Sequence, residues 1–192
     1  MTLLEQAIEA IDTKNSKDPN LEQSEGTMVP KELLYSQRMT AHLLAFEPEA
    51  SEELQVAARA QHICRWKSPR EDYPMDRIGY LKWREDLKKM HAKLTAEILE
   101  DLGFEKEFID RVQFLIKKKL IKKDDGSQTL EDVICLVFLQ YYFEDFAAKH
   151  KEGKVIDIIQ KTWAKMSQKG QAAALKLPLS KTTLELVGKA LA

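Results

Sequence analysis

The 192-residue chain is long enough to bury a full core without metal or disulfide staples, and 44% apolar with 32% charged residues excludes a disordered or fibrous chain. Its 30 Lys plus Arg against 31 Asp plus Glu give a formal net charge of -1, so no global field recruits nucleic acid or an anionic membrane. The two cysteines, Cys64 and Cys135, sit in apolar helical runs where thiols act as small hydrophobes, and we expect them reduced.

The opening MTLLEQAIEAID carries acids among its apolar positions and lacks a basic region or a small-residue cleavage site. It predicts an amphipathic helix through Ile11 rather than an export signal. No apolar run nears the length of a bilayer span, so the cytoplasm is the expected compartment. Asn15 to Gly26 is polar, contains Pro19 and is expected as a loop. Pro30 stands where a helix starts, KELLYSQRMTAHLLAF follows, and Pro48 closes it. Ser51 followed by Glu52 and Glu53 is an N-cap with acids at the positive end of a third helix.

That third helix is expected to run unbroken through AARAQHICRW, Ala57 to Trp66. Leu54, Ala57 and Ala58 set an apolar face, and Gln61, His62 and Arg65 continue it with polar groups. An unpaired buried amide or imidazole costs about 1 to 3 kcal/mol, so the stretch is either an internal polar knot or a site. KSPREDYPMDR, with Pro69 and Pro74, makes a connection able to fold over a pocket.

A fourth helix, Met75 to Leu102 with Gly103 as its stop, places His91 in an apolar stripe between Leu87 and Leu94. A fifth, Lys106 to Leu120, runs into KKKLIKKDDGSQ, expected as a surface loop. Thr129 to Lys151 is the most apolar segment, and VICLVFLQYYF is hydrophobic almost all round, as a central buried helix is. A helix from Val155 to Met166 and short ones through QAAALKL and TTLELVGKAL complete the chain. The expectation is one all-α domain over residues 1–192, with about seven to nine helices.

No Cys-x-x-Cys pair, Gly-rich phosphate loop or His-Glu-x-x-His is present. The case for a site rests on His62 and His91, on inward stripes of different helices, with Gln61 and Arg65 beside the first. Neutral imidazole is the commonest nitrogen ligand for a transition metal. Glu131 and Asp132 stand at the expected start of the central helix as carboxylate donors, although Thr129-x-x-Asp132 also resembles a capping box. Arg38, Arg65, Arg70 and Arg77 flank the expected pocket, and guanidinium suits a phosphate or carboxylate. Lys117, Lys118, Lys119, Lys122 and Lys123 form the one basic run, and RNA binding there ranks last among the functions considered.

The runs KELLYSQRM, AARAQHICRW, YPMDRIGYLKWREDL, LEDVICLVFLQYYF and KTWAKMS resemble, over most of the chain, a family known only as a domain of unknown function, DUF4202. More distantly, AARAQHIC is similar to the helix of HD-superfamily metal-dependent phosphohydrolases that ends in a His-Asp pair, with Gln61 and His62 at the pair. HAKLTAEIL, from His91, is similar to a later segment of that superfamily. Tyr35 stands at the early His position and Phe138 near the closing Asp position, so two metal ligands of the pattern are missing.

The distant likeness implies an HD-like core around the central helix and a small phosphorylated ligand near Tyr35, Arg38, Arg70 and Arg77. It also implies a divalent metal on His62, His91 and Glu131 or Asp132 that activates water, in a catalytic group with Gln61 and Arg65. A non-catalytic binding or interaction module, whose polar knot only fixes packing, is the alternative.

Overall fold

Capping chemistry sets most helix boundaries in the computed structural model, which describes all of residues 1–192. Helix α1 (Leu3–Asn15) starts at a capping box in which Thr2 and Glu5 satisfy each other's backbone N–H. The expected polar loop is in part a hairpin, β1 (Leu21–Ser24) against antiparallel β2 (Thr27–Pro30). Its turn is Glu25-Gly26, with φ of 49° and 81°, so this pair takes the left-handed role for which Asn-Gly is the commoner choice. Helix α2 (Lys31–Phe46) follows, its first turn capped from a distance by Asp18, whose Oδ2 accepts from the Glu32 N–H at 3.0 Å.

Helix α3 begins on the Ser51 cap as expected but ends at Arg59. This corrects the unbroken helix through Trp66. Ala60 to Cys64 form turns, Cys64 adopts a left-handed φ of 54°, and one 3₁₀ turn spans Arg65–Lys67. Neither Gly nor Pro marks this break; side chains from elsewhere stabilise it. The buried Cys64 N–H donates to Asn15 Oδ1 at 3.0 Å, and the Ile63 carbonyl accepts from His91 Nδ1 at 2.9 Å. Backbone groups that a helix would have paired internally are thus paired by α1 and by α4 (Arg77–Asp101).

Asp76 caps α4, and Gly79 is required there because a Cβ would lie 2.1 Å from the Pro74 carbonyl oxygen. Gly103, at φ 80°, follows its end. Helix α5 (Lys106–Ile116) leads into turns in which Lys118, Leu120 and Lys122 all have positive φ. Helix α6 (Asp125–Val137) starts four residues before the expected Thr129, because Asp124 caps the Ser127 N–H while paired with Arg111. Glu131 and Asp132 therefore lie in its second turn, and Thr129-x-x-Asp132 is not a capping box. A π-turn (Phe138–Tyr142) carries α6 into α7 (Phe143–Ala148), then α8 (Glu152–Lys165), α9 (Gln168–Ala174) and α10 (Lys181–Leu191) complete ten helices.

The all-helical expectation holds apart from the small hairpin. No helix is long and apolar enough to cross a membrane. Two apolar clusters share α6: Leu130, Val133 and Val137 pack with residues of α1 to α5, while Cys135, Leu136, Leu139 and Phe143 pack with α8 to α10. That two-sided burial is what the all-round hydrophobic sequence required.

Asn15→Ala leaves the Cys64 N–H buried without an acceptor, a cost of about 1 to 3 kcal/mol. Thermal unfolding should show a lowered Tm of corresponding size, and an unchanged Tm would remove Asn15 as the support of the turn.

Candidate functional site

The break after α3 turns Gln61, His62 and Arg65 toward α4 instead of continuing a stripe. Helix α4 answers with Arg84, Leu87, Lys88 and His91, which share one face at three- and four-residue spacing. Ile116 at the end of α5 and Lys118 from the following turns close the ring. The enclosed cavity measures about 20 Å³, enough for one water-sized group.

Both histidines are held neutral. Burial lowers His91 to about 4, and its Nδ1 faces a carbonyl, so Nδ1 carries the proton and Nε2 the free lone pair. Burial and the nearby Arg65 hold His62 well below the usual imidazole range. Tyr35 stacks on His62 with ring centroids 3.8 Å apart and planes 9° from parallel. Arg65 Nη1 lies 3.3 Å from Nδ1 and 3.0 Å from Nε2 of the same ring. A nitrogen that close to both sits over the imidazole face, opposite Tyr35. Glu32 Oε2 meets His62 Nδ1 at 3.2 Å, and burial pushes this carboxyl up to about 7, so one proton is shared across the contact.

Cations dominate the rest. Lys88 pairs with Glu85 at 3.3 Å and Lys118 with Glu131 at 3.3 Å, whereas no carboxylate lies within ion-pair distance of Arg65 or Arg84. Burial lowers the Arg65 guanidinium, and Glu32 opposes that effect. The side-chain oxygen of buried Gln61 has no hydrogen-bond partner in the protein. Oxygen and nitrogen of this amide exchange by a half-turn, so Gln61 offers either an acceptor or a donor.

The remaining sequence candidates are engaged elsewhere. Arg38 binds Glu22 of the hairpin and the Tyr142 hydroxyl, 2.9 Å away, and lies over the Tyr141 ring. Arg70 donates to the carbonyls of Tyr73, Pro74 and Asp76 and so braces the connection into α4. Arg77 is exposed on the first turn of α4. Glu131 also lies 3.9 Å from Lys165, while Asp132 accepts from the Ser167 N–H and hydroxyl, fixing the start of α9. Glu131, Asp132 and the two histidines are not gathered, and no three His, Cys, Asp or Glu side chains form a group able to hold a metal ion.

Lys118 stands in the sequence only as part of the basic run, and Arg84 and Lys88 are not among the sequence candidates. Their signal was available in the spacing from His91, at minus seven and minus three on one helix.

A family model described as "Domain of unknown function (DUF4202)" matches residues 5–187. The chain belongs to that family. No curated protein and no solved structure matches the chain. In this DUF4202 chain the polar run that the sequence singled out is therefore the wall of a small, cation-lined cavity between the turn after α3 and helix α4.

The titrating groups of the site oppose one another. Below pH 6.5 an unfolded imidazole takes a proton that native His91 refuses until about pH 4, so this group removes up to about 3 kcal/mol of stability on acidification. Glu32 acts in reverse: native protein keeps its proton up to about pH 7, so its stabilisation is present below pH 4.5 and lost as pH rises. With two lowered histidines against one raised carboxyl, Tm should fall from pH 6.5 toward 4.5. His91→Asn, which keeps a donor for the Ile63 carbonyl, should flatten that fall, and Glu32→Gln should steepen it. Equal slopes in all three proteins would contradict the assignment.

Proposed function

We propose that this protein binds a small phosphorylated ligand at the rim of the cavity, with one phosphate oxygen entering it. One observation carries the proposal: Arg65 and Arg84, two guanidiniums without carboxylate partners, converge on a cavity already walled by Lys88 and Lys118. A largely buried guanidinium without a counter-ion is costly, and a phosphate supplies both the charge and the oxygens it lacks. Neutral His91 can donate nothing from Nε2, so it suits a protonated phosphate oxygen or a ligand hydroxyl.

The likeness to HD-superfamily phosphohydrolases belongs to this proposal. In its favour, Tyr35 from the early His position and His62 from the His-Asp position meet face to face. Against metal-dependent chemistry, the donor set suits a divalent cation poorly. His62 presents Nδ1 to Glu32 with Arg65 over its ring face, His91 has one free nitrogen, and Glu131 and Asp132 are bound to Lys118 and Ser167. Four cationic side chains around two imidazoles would repel a metal ion and attract an anion. The site therefore suits phosphate recognition better than metal binding.

Calorimetric titration with inorganic phosphate and methyl phosphate tests the assignment. Arg65→Gln and Arg84→Gln should each weaken binding about ten-fold or more, the worth of one charge-assisted hydrogen bond. Asp132→Asn should lower Tm through loss of its bonds to Ser167 yet leave the affinity unchanged. Absence of phosphate binding, with Tm losses alone in the arginine variants, would make the cluster a packing device and overturn the proposal.

A further inference from the structure

Three exposed apolar side chains stand close together in the chain just ahead of the cavity, Met75 before the cap of α4 and Ile78 and Leu81 at its start. Met75 is 79% exposed, Ile78 78% and Leu81 56%, beside the half-exposed ring of Tyr80. Single exposed hydrophobics need no explanation, but Ile78 and Leu81 are neighbours at three-residue spacing on α4 and form, with Met75 just ahead of them, an unpartnered stripe. The stripe is not a frayed end. Gly79 packs against Pro74, Trp83 Nε1 donates to the Ser68 carbonyl at 2.9 Å, and Arg70 ties down the carbonyls of Tyr73, Pro74 and Asp76.

This stripe is continuous with the cationic rim. Leu81 precedes Arg84 by three residues and Lys88 by seven, which places them about 4.5 Å and about 10 Å further along one side of α4. The cavity itself admits one atom-sized group, so the body of any ligand anchored there lies outside, on the protein surface. The apolar surface nearest that rim on α4 is Leu81, with Ile78 beside it three residues back and Met75 just ahead of the helix.

We propose that the ligand is an amphiphile, a phosphomonoester of a single long alkyl chain. Its phosphate sits at Arg65, Arg84 and Lys88, and its chain lies along Leu81, Ile78 and Met75. This inference rests on the phosphate assignment above and adds the class of group esterified to it. The adjacency along α4 of Leu81 to Arg84, with Ile78 beside Leu81 on the same ridge of three-residue steps, is what selects this occupant.

Methyl, butyl and octyl phosphate, each below its micelle-forming concentration, are titrated into the full-length protein by calorimetry. A chain half covered by the stripe should gain about two-fold in affinity per methylene, roughly 100-fold from methyl to octyl. The double variant Ile78→Ser, Leu81→Ser should abolish the dependence on chain length while leaving methyl phosphate affinity unchanged. Both side chains are mostly exposed, so the variant should keep the wild-type circular dichroism and Tm.

If methyl phosphate binds and octyl phosphate binds no better, the alkyl stripe is refuted and the phosphate site stands. Octyl glucoside binding as tightly as octyl phosphate would show apolar capture without phosphate recognition and overturn the inference. Failure of every phosphate to bind removes the phosphate assignment and this inference with it.

Discussion

Everything at the site depends on how the chain leaves α3. A left-handed residue without glycine costs about 1 to 2 kcal/mol, and the turn at Cys64 accepts that cost inside the core. It persists because Asn15 and His91 supply the hydrogen bonds the backbone would otherwise lack. His91 thereby does two things with one ring. Its Nδ1 proton holds the Ile63 carbonyl, which fixes the tautomer and leaves Nε2 turned away from that bond. Fold and site share this imidazole, so the geometry of the cavity and the path of the backbone cannot vary separately.

Charge follows the same logic of prior commitment. Acids that could offset the site are already engaged: Glu131 with Lys118, Asp132 with Ser167, Glu22 with Arg38. The cations around the cavity are left in excess, and buried Glu32 keeps a proton to about pH 7. The turns after α5 contribute by forcing Lys118 inward through a left-handed φ of 53°, with Leu120 and Lys122 at 55° and 72°. Three such residues in one short segment are strained, and strain of this kind gathers where a side chain must be aimed. Lys118 against Glu131 and Lys122 Nζ on the Ala164 carbonyl offset it.

Much of the architecture was legible because its signals are local. Ser51, Gly103 and the proline flanks of α2 mark their boundaries, and VICLVFLQYYF is apolar on all sides because α6 is buried on two. The failures have a common cause. The break after Arg59 carries no glycine or proline and exists only through residues 15 and 91, far away in the chain. Asp124 acted as a cap from inside a run that looked uniformly solvated. The polar run from Gln61 to Arg65 is legible as a site candidate, although as a helix face and not as the turn it forms. Its partners Arg84, Lys88 and Lys118 were hidden, because one inward lysine in a basic run looks like its neighbours.

The double duty of α6 also orders the birth of the protein. Its first face completes the cluster built by α1 to α5, so that body has all of its helices once residue 137 is made. The later helices have no comparable body of their own: α8, α9 and α10 bury their apolar faces on Cys135, Leu136, Leu139 and Phe143. A ribosome releasing the chain from its N-terminus therefore emits first a body with an exposed keel, and afterwards the plating that covers it. In the interval, the back of α6 stands bare, an apolar surface that the finished molecule hides.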